Sequence, residues 1–251
     1  MKLRDVVALC LLVAQTCFAQ RYSFKRYGPD EGPRTAVNKL FQDRDGFLWV
    51  GTSNGLFRYD GDRFQRFGTT EGLPASSIRD VHDSHDGTLW AVTNGGLARF
   101  RNNRFTVKTD LADEAEMLTE LRSDRQGSLY LGSKKGLLVG ERGPEGEFKF
   151  HFADGVPKVS VQGVYVDPAD GAVWFGCGHN LCRLTQGRNE VFGQTQGLPE
   201  EHWSVIVRDQ QGNLWVRGLD RLYFRAAGAF PLTQLRVVFD VYFQSFAPKH
   251  P

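Results

Sequence analysis

Cys177 and Cys182 bracket His179 in the segment Phe175-Gly176-Cys177-Gly178-His179-Asn180-Leu181-Cys182, and these types at this spacing admit two chemistries. In an oxidising compartment, cysteines facing each other across a hairpin pair as a disulfide. The rival is a Cys-x-His-x-x-Cys metal site, but no fourth ligand stands nearby in the sequence, and a hairpin tip holds a metal poorly without one. A disulfide is the expectation, with free thiols the remaining alternative. The six histidines, at 82, 85, 151, 179, 202 and 250, share no repeat position. His82 and His85 stand beside Asp83 and Asp86 and read as solvated residues of a turn between strands, not as the one-face pair of a helical metal motif. Asp43-Arg44-Asp45-Gly46 resembles the opening of a calcium loop, yet no glutamate follows at the required distance. An Asp ahead of a tight turn ordinarily bonds its own backbone. Nucleophile elbow, phosphate loop and dinucleotide fingerprint are all missing. The reading is therefore non-enzymatic, with no catalytic residue, no cofactor and no metal site assigned.

What must position these residues is a repeat. Five segments share Asp, a short gap, Gly, any residue, Leu or Val, and an aromatic. They run from Asp43 through Gly46 to Trp49, from Asp83 through Gly87 to Trp90, from Asp124 through Gly127 to Tyr130, from Asp167 through Gly171 to Trp174, and from Asp209 through Gly212 to Trp215. Successive glycines are 41, 40, 44 and 41 residues apart. Each unit holds an apolar stretch, the Asp-to-Gly turn, a strand such as Leu48 to Thr52, an Asn-Gly-type turn, and two further short strands. Period-two alternation and turns of this kind argue for strands over helical repeats. Four antiparallel strands in about forty residues, repeated, make a β-propeller blade. The expected fold is all-β: about five complete four-stranded units in an incomplete or open ring. The units lie near 35–74, 75–112, 113–157, 158–199 and 200–234, with a partial unit at 235–251. The recurring aromatics read as packing between blades, a sugar-stacking role being the alternative. One local helix is expected over Asp110 to Leu121.

The repeats resemble the two-component-regulator propeller family. The first copy carries the resemblance most closely, in Gln42-Asp43-Arg44-Asp45-Gly46, Leu48-Trp49-Val50-Gly51-Thr52 and Asn54-Gly55-Leu56. The fifth departs most, with Arg217 and Arg221 where the first has Gly51 and Gly55. The resemblance implies a periplasmic sensor module of a hybrid histidine kinase or diguanylate cyclase system that lacks the kinase itself, and an oligosaccharide as the class of ligand. Streptogramin-lyase-like secreted enzymes, whose repeats look distantly similar, are the alternative.

The remaining features bound the partners. Lys2 and Arg4, the apolar run Val6 to Ala14 and Cys17-Phe18-Ala19 form a secretory signal with cleavage between Ala19 and Gln20. That apolar run is too short to span a bilayer, and no other segment could, so the mature chain is expected in the periplasm or outside the cell. The formal charge of +2 is spread along the chain with no basic face, which leaves nucleic-acid binding without support. Phe24 to Gly28 matches the fourth strand of a unit, and Leu235 to Phe239 looks like the first strand of another. An open arc follows, with an apolar edge near 235–246, the look of a truncated sensor, and self-association or a missing sensor-kinase portion as partner.

Overall fold

A computed structural model describes residues 32–108, 117–144, 146–196, 198–219 and 221–227, the backbone of 236–240, and Lys25, Tyr27 and Leu111. The signal segment with Ala19 and Gln20, and residues 241–251, lie outside the described residues. The described chain contains no α-helix and forms five four-stranded antiparallel sheets, each from four consecutive strands. The first blade is β1 (Val37–Gln42), β2 (Leu48–Thr52), β3 (Gly55–Tyr59) and β4 (Phe64–Phe67). The second is β5 (Ile78–Asp83), β6 (Leu89–Thr93), β7 (Gly96–Arg101) and β8 (Arg104–Val107). β9 (Leu118–Ser123), β10 (Leu129–Ser133), β11 (Gly136–Arg142) and β12 (Phe148–Phe152) make the third. The fourth is β13 (Val161–Val166), β14 (Val173–Cys177), β15 (Asn180–Thr185) and β16 (Arg188–Phe192), and the fifth β17 (Val205–Arg208), β18 (Leu214–Arg217), β19 (Arg221–Arg225) and β20 (Arg236–Asp240). The architecture is a propeller of five blades.

Two assignments differ from expectation. Leu118 to Leu121, read as the end of a helix, opens strand β9, and residues 112–116 lie outside the described residues. Its leucines are spaced for the seam between two blades, where tertiary packing overrides helix propensity. β20 pairs antiparallel with β19, so the segment read as the first strand of a further unit is the fourth strand of the fifth.

The blade turn explains the repeat. In all five turns the glycine sits at positive φ, between 72° and 93°, where a side chain would be strained. Asp43 Oδ1 accepts from the backbone N–H of Asp45 and Phe47 at 3.1 and 2.9 Å, and its Oδ2 accepts the Trp49 indole N–H at 2.7 Å. Asp124 with Tyr130 and Asp209 with Trp215 repeat this at 3.1 and 2.8 Å. In the second blade Ser84, not Asp83, holds the position and accepts from Trp90 at 3.2 Å. The fourth turn is one residue longer: Asp167 pairs with Arg208 of the next blade at 2.6 Å, and the Trp174 indole nitrogen is buried without a partner.

Register then gives each blade two faces. In the first, Phe41, Trp49 and Arg58 align in one row, and Leu40, Val50 and Phe57 in the next, on the opposite face. The face with the repeat aromatic is the front, the other the rear. Fronts pack on rears: Trp49 against Val81, Ala91 and Ala98, and Trp90 against Leu121, Leu131 and Leu138. Tyr130 meets Val164, Phe175 and Cys182, and Trp174 meets Ile206, Val216 and Tyr223. Trp49, Trp90 and Trp174 are buried, so the seams consume these aromatics. Trp215, with no following blade in front of it among the described residues, is half-buried.

Candidate functional site

The first strands β1, β5, β9, β13 and β17 touch in succession around the axis, and a network of charged side chains lies along the first three of them. Lys39 Nζ reaches Asp80 Oδ1 at 2.6 Å, Arg122 Nη1 reaches Asp80 Oδ2 at 2.8 Å, and Arg122 Nη2 lies 3.3 Å from Glu120 Oε2. The Leu121 backbone N–H also donates to Asp80, at 2.9 Å, and the Val164 N–H donates to Glu120. Three blades are thus tied through one buried carboxylate. β-Bulges near the start of β1, β5, β9 and β13 lie at this level and re-aim the side chains.

Burial works against the charge on Asp80, but Arg122 and Lys39 outweigh it and hold the carboxyl below its ordinary range. At Glu120 the balance tips the other way, and burial raises the carboxyl pKa despite Arg122. His82 belongs to β5 and lines this interior, which corrects its reading as a solvated turn residue. Burial, with Arg122 and Lys39 adding, lowers its pKa to about 4, and its Nε2 lies 3.0 Å from Ser123 Oγ. His85 does sit in the turn and is exposed.

The Asp-to-Gly turns of four blades converge at one mouth of the axis around a cavity of about 480 Å³. Arg44, Asp83, His85, Arg125, Asp167 and Asp170 are among its lining residues. Arg44 crosses from the first turn to the second, with Nε 2.8 Å from Asp83 Oδ2 and Nη2 2.8 Å from the Ser84 carbonyl. At the opposite end a second cavity of about 400 Å³ is lined by Asn38, Arg79, Glu120 and Gln162, among others. The turn mouth offers carboxylate acceptors beside guanidinium donors, an arrangement suited to a polar, hydroxyl-bearing ligand.

Other sequence candidates lie elsewhere. Cys177 and Cys182 form a disulfide across the β14–β15 hairpin, with Cα atoms 5.9 Å apart, buried in the seam between the third and fourth blades. His179 lies against His202 with the rings tilted by 52° and their centroids 4.5 Å apart, at the end of the fourth blade away from the turn mouth. Among the described residues no group of His, Cys, Asp and Glu is arranged to hold a metal ion. Asp45 is exposed and Asp43 is spent on its turn and on Trp49.

Sequence reading missed Lys39, Asp80 and Glu120, although the signal was present. Each stands seven residues ahead of its turn glycine, so a charge recurs at one repeat position in three consecutive units. Nothing in the sequence shows that those positions meet on one axis.

Residues 31–54 match the family model described as two component regulator propeller. No curated protein sequence matches the chain. Among solved structures, the extracellular domain of the hybrid two component system BT3049 from B. thetaiotaomicron is similar with TM-score 0.70 and 15% identity, over 84% of this chain and 30% of that one. The extracellular domain of BT4673 from the same organism gives 0.61 and 20%, over 84% and 28%. An inactive virginiamycin B lyase from Staphylococcus aureus, bound to quinupristin, gives 0.65 and 14%, over 89% and 74%. The shared feature is the fold, and this chain spans less than a third of either sensor domain. No helix among the described residues is long and apolar enough to cross a membrane.

Proposed function

We propose that this chain is a ligand-binding propeller module of a hybrid two-component signalling system. It works in the periplasm or outside the cell after cleavage between Ala19 and Gln20, and it relies on kinase machinery outside the described residues. The observation that carries the reading is the convergence of four blade turns on one polar cavity, in a chain whose first unit matches the two component regulator propeller model. Ligands of such folds enter where loops of a rigid scaffold converge. An oligosaccharide suits the mixed donors and acceptors at this mouth. The test is a calorimetric titration of the purified chain against a panel of neutral and acidic oligosaccharides. One class should bind, and Arg125→Ala with His85→Ala should weaken it at least tenfold while the melting temperature holds. Failure of the whole panel, or binding indifferent to both substitutions, would sink the oligosaccharide reading.

A secreted enzyme is the second reading. It is favoured by the fold likeness to virginiamycin B lyase and by the Ser123–His82 pair beside the same cavity. A histidine with its pKa near 4 is neutral at pH 7 but a weak base, which counts against it. Quinupristin turnover that disappears in His82→Gln would overturn the sensor reading.

A further inference from the structure

Among the described residues, no blade covers the front of the fifth blade or the rear of the first, where Tyr27 packs on Tyr59 and Phe64 at one corner. At the repeat position of Leu40, the following four blades place Val81, Leu121, Val164 and Ile206, which are 1%, 0%, 2% and 5% exposed because each packs on the blade before it. Leu40 is 60% exposed and its neighbour on the same strand, Val37, 51%. At the other end Val205 and Val207 on β17 are 45% and 42% exposed, and Trp215 and Phe224 continue the Val207 row across β18 and β19. Among the described residues, contacts between first strands run from β1 through to β17, and none of comparable extent joins β17 back to β1.

The composition of these faces is informative. Val205 stands where the first three blades carry Lys39, Asp80 and Glu120. Val207 stands where they carry Phe41, His82 and Arg122. On β17 the charges that tie the interior seams together are thus replaced by aliphatic side chains, with Arg217 beside Val205 at the rim of the same face. An apolar rear around Leu40 and an apolar front around Val207 match in chemistry, and the four seams within the chain supply the docking geometry.

We propose that a second copy of this chain docks head to tail, the front of its fifth blade on the rear of the first blade of its neighbour. Such a contact is heterologous: it closes into a ring if the rotation permits and otherwise extends. It buries two apolar edges that would otherwise invite aggregation. The inference stands independently of the ligand reading.

Leu40→Arg blocks a rear and leaves a front, and Val207→Arg does the opposite. Both residues are exposed, so both variants should fold, with circular dichroism and melting curves as controls. By sedimentation, the unaltered chain should associate with rising concentration, and each variant alone should remain a monomer. Their equimolar mixture should double in mass, forming a single one-to-one complex. A chain monomeric up to its solubility limit would overturn the proposal. So would a mixture that stays monomeric. Association abolished by Val207→Arg but untouched by Leu40→Arg would show a front-to-front contact instead, which also overturns it.

Discussion

Trp49 donates its indole N–H to Asp43, six residues upstream, at 2.7 Å, while the same carboxylate holds the turn between them. The repeat motif is therefore one hydrogen-bonded unit that locks a turn and satisfies the single polar atom of a seam aromatic. Asp43→Ala should cost about 2 kcal/mol, because it orphans a buried indole N–H as well as the turn. Urea unfolding monitored by Trp fluorescence measures this directly.

The fourth blade offers the converse. Trp174 is equally buried, but its indole nitrogen has no acceptor, since Asp167 is turned to Arg208. Trp174→Phe should then cost about 1 kcal/mol less than Trp49→Phe, the worth of a typical hydrogen bond. Equal losses in parallel denaturant curves would refute the difference.

The disulfide closes a short loop, Cys177 and Cys182 being five positions apart. Chain entropy gives such a loop about 2 kcal/mol. Replacing both cysteines by serine should lower stability by slightly more, because both sites lie in the apolar third-to-fourth seam. Thermal melts of the double variant, and of the unaltered chain with and without reductant, separate the two contributions.

His82 sets a pH dependence. Its folded pKa of about 4 lies below the ordinary value of 6.5, so the unfolded chain binds a proton that the folded chain refuses. The associated stability is present in full above pH 6.5 and is lost as pH falls toward 4. Its size is about 3 kcal/mol at most. In His82→Gln the slope of unfolding free energy between those limits should flatten. A slope unchanged by the substitution would mean that His82 is ordinarily protonated in the fold.

Much of this was legible in the chain itself. Gly46, Gly87, Gly127, Gly171 and Gly212 announce positive-φ turns at a period near forty, and the aromatic three residues later announces a seam. Such features are local, and local spacing survives in sequence. The end of the helix expected over Asp110 to Leu121 gave way to strand β9 because a leucine-rich segment reads alike as an amphipathic helix or a buried strand until its neighbours are known. The Lys39–Asp80–Arg122 network joins residues about forty positions apart, and β20 completes a blade by pairing with β19.

The sequence alone thus determined the repeat, the blade, the turn chemistry and the hairpin that brings Cys177 to Cys182. Each of these is decided by residues within one unit. Only the tertiary structure decided which charges meet on the axis, that Trp174 lost the acceptor its equivalents keep, and that Leu40 and Val207 remain uncovered. Those outcomes depend on which blade face stands against which, and that relation is set by packing between units rather than within them.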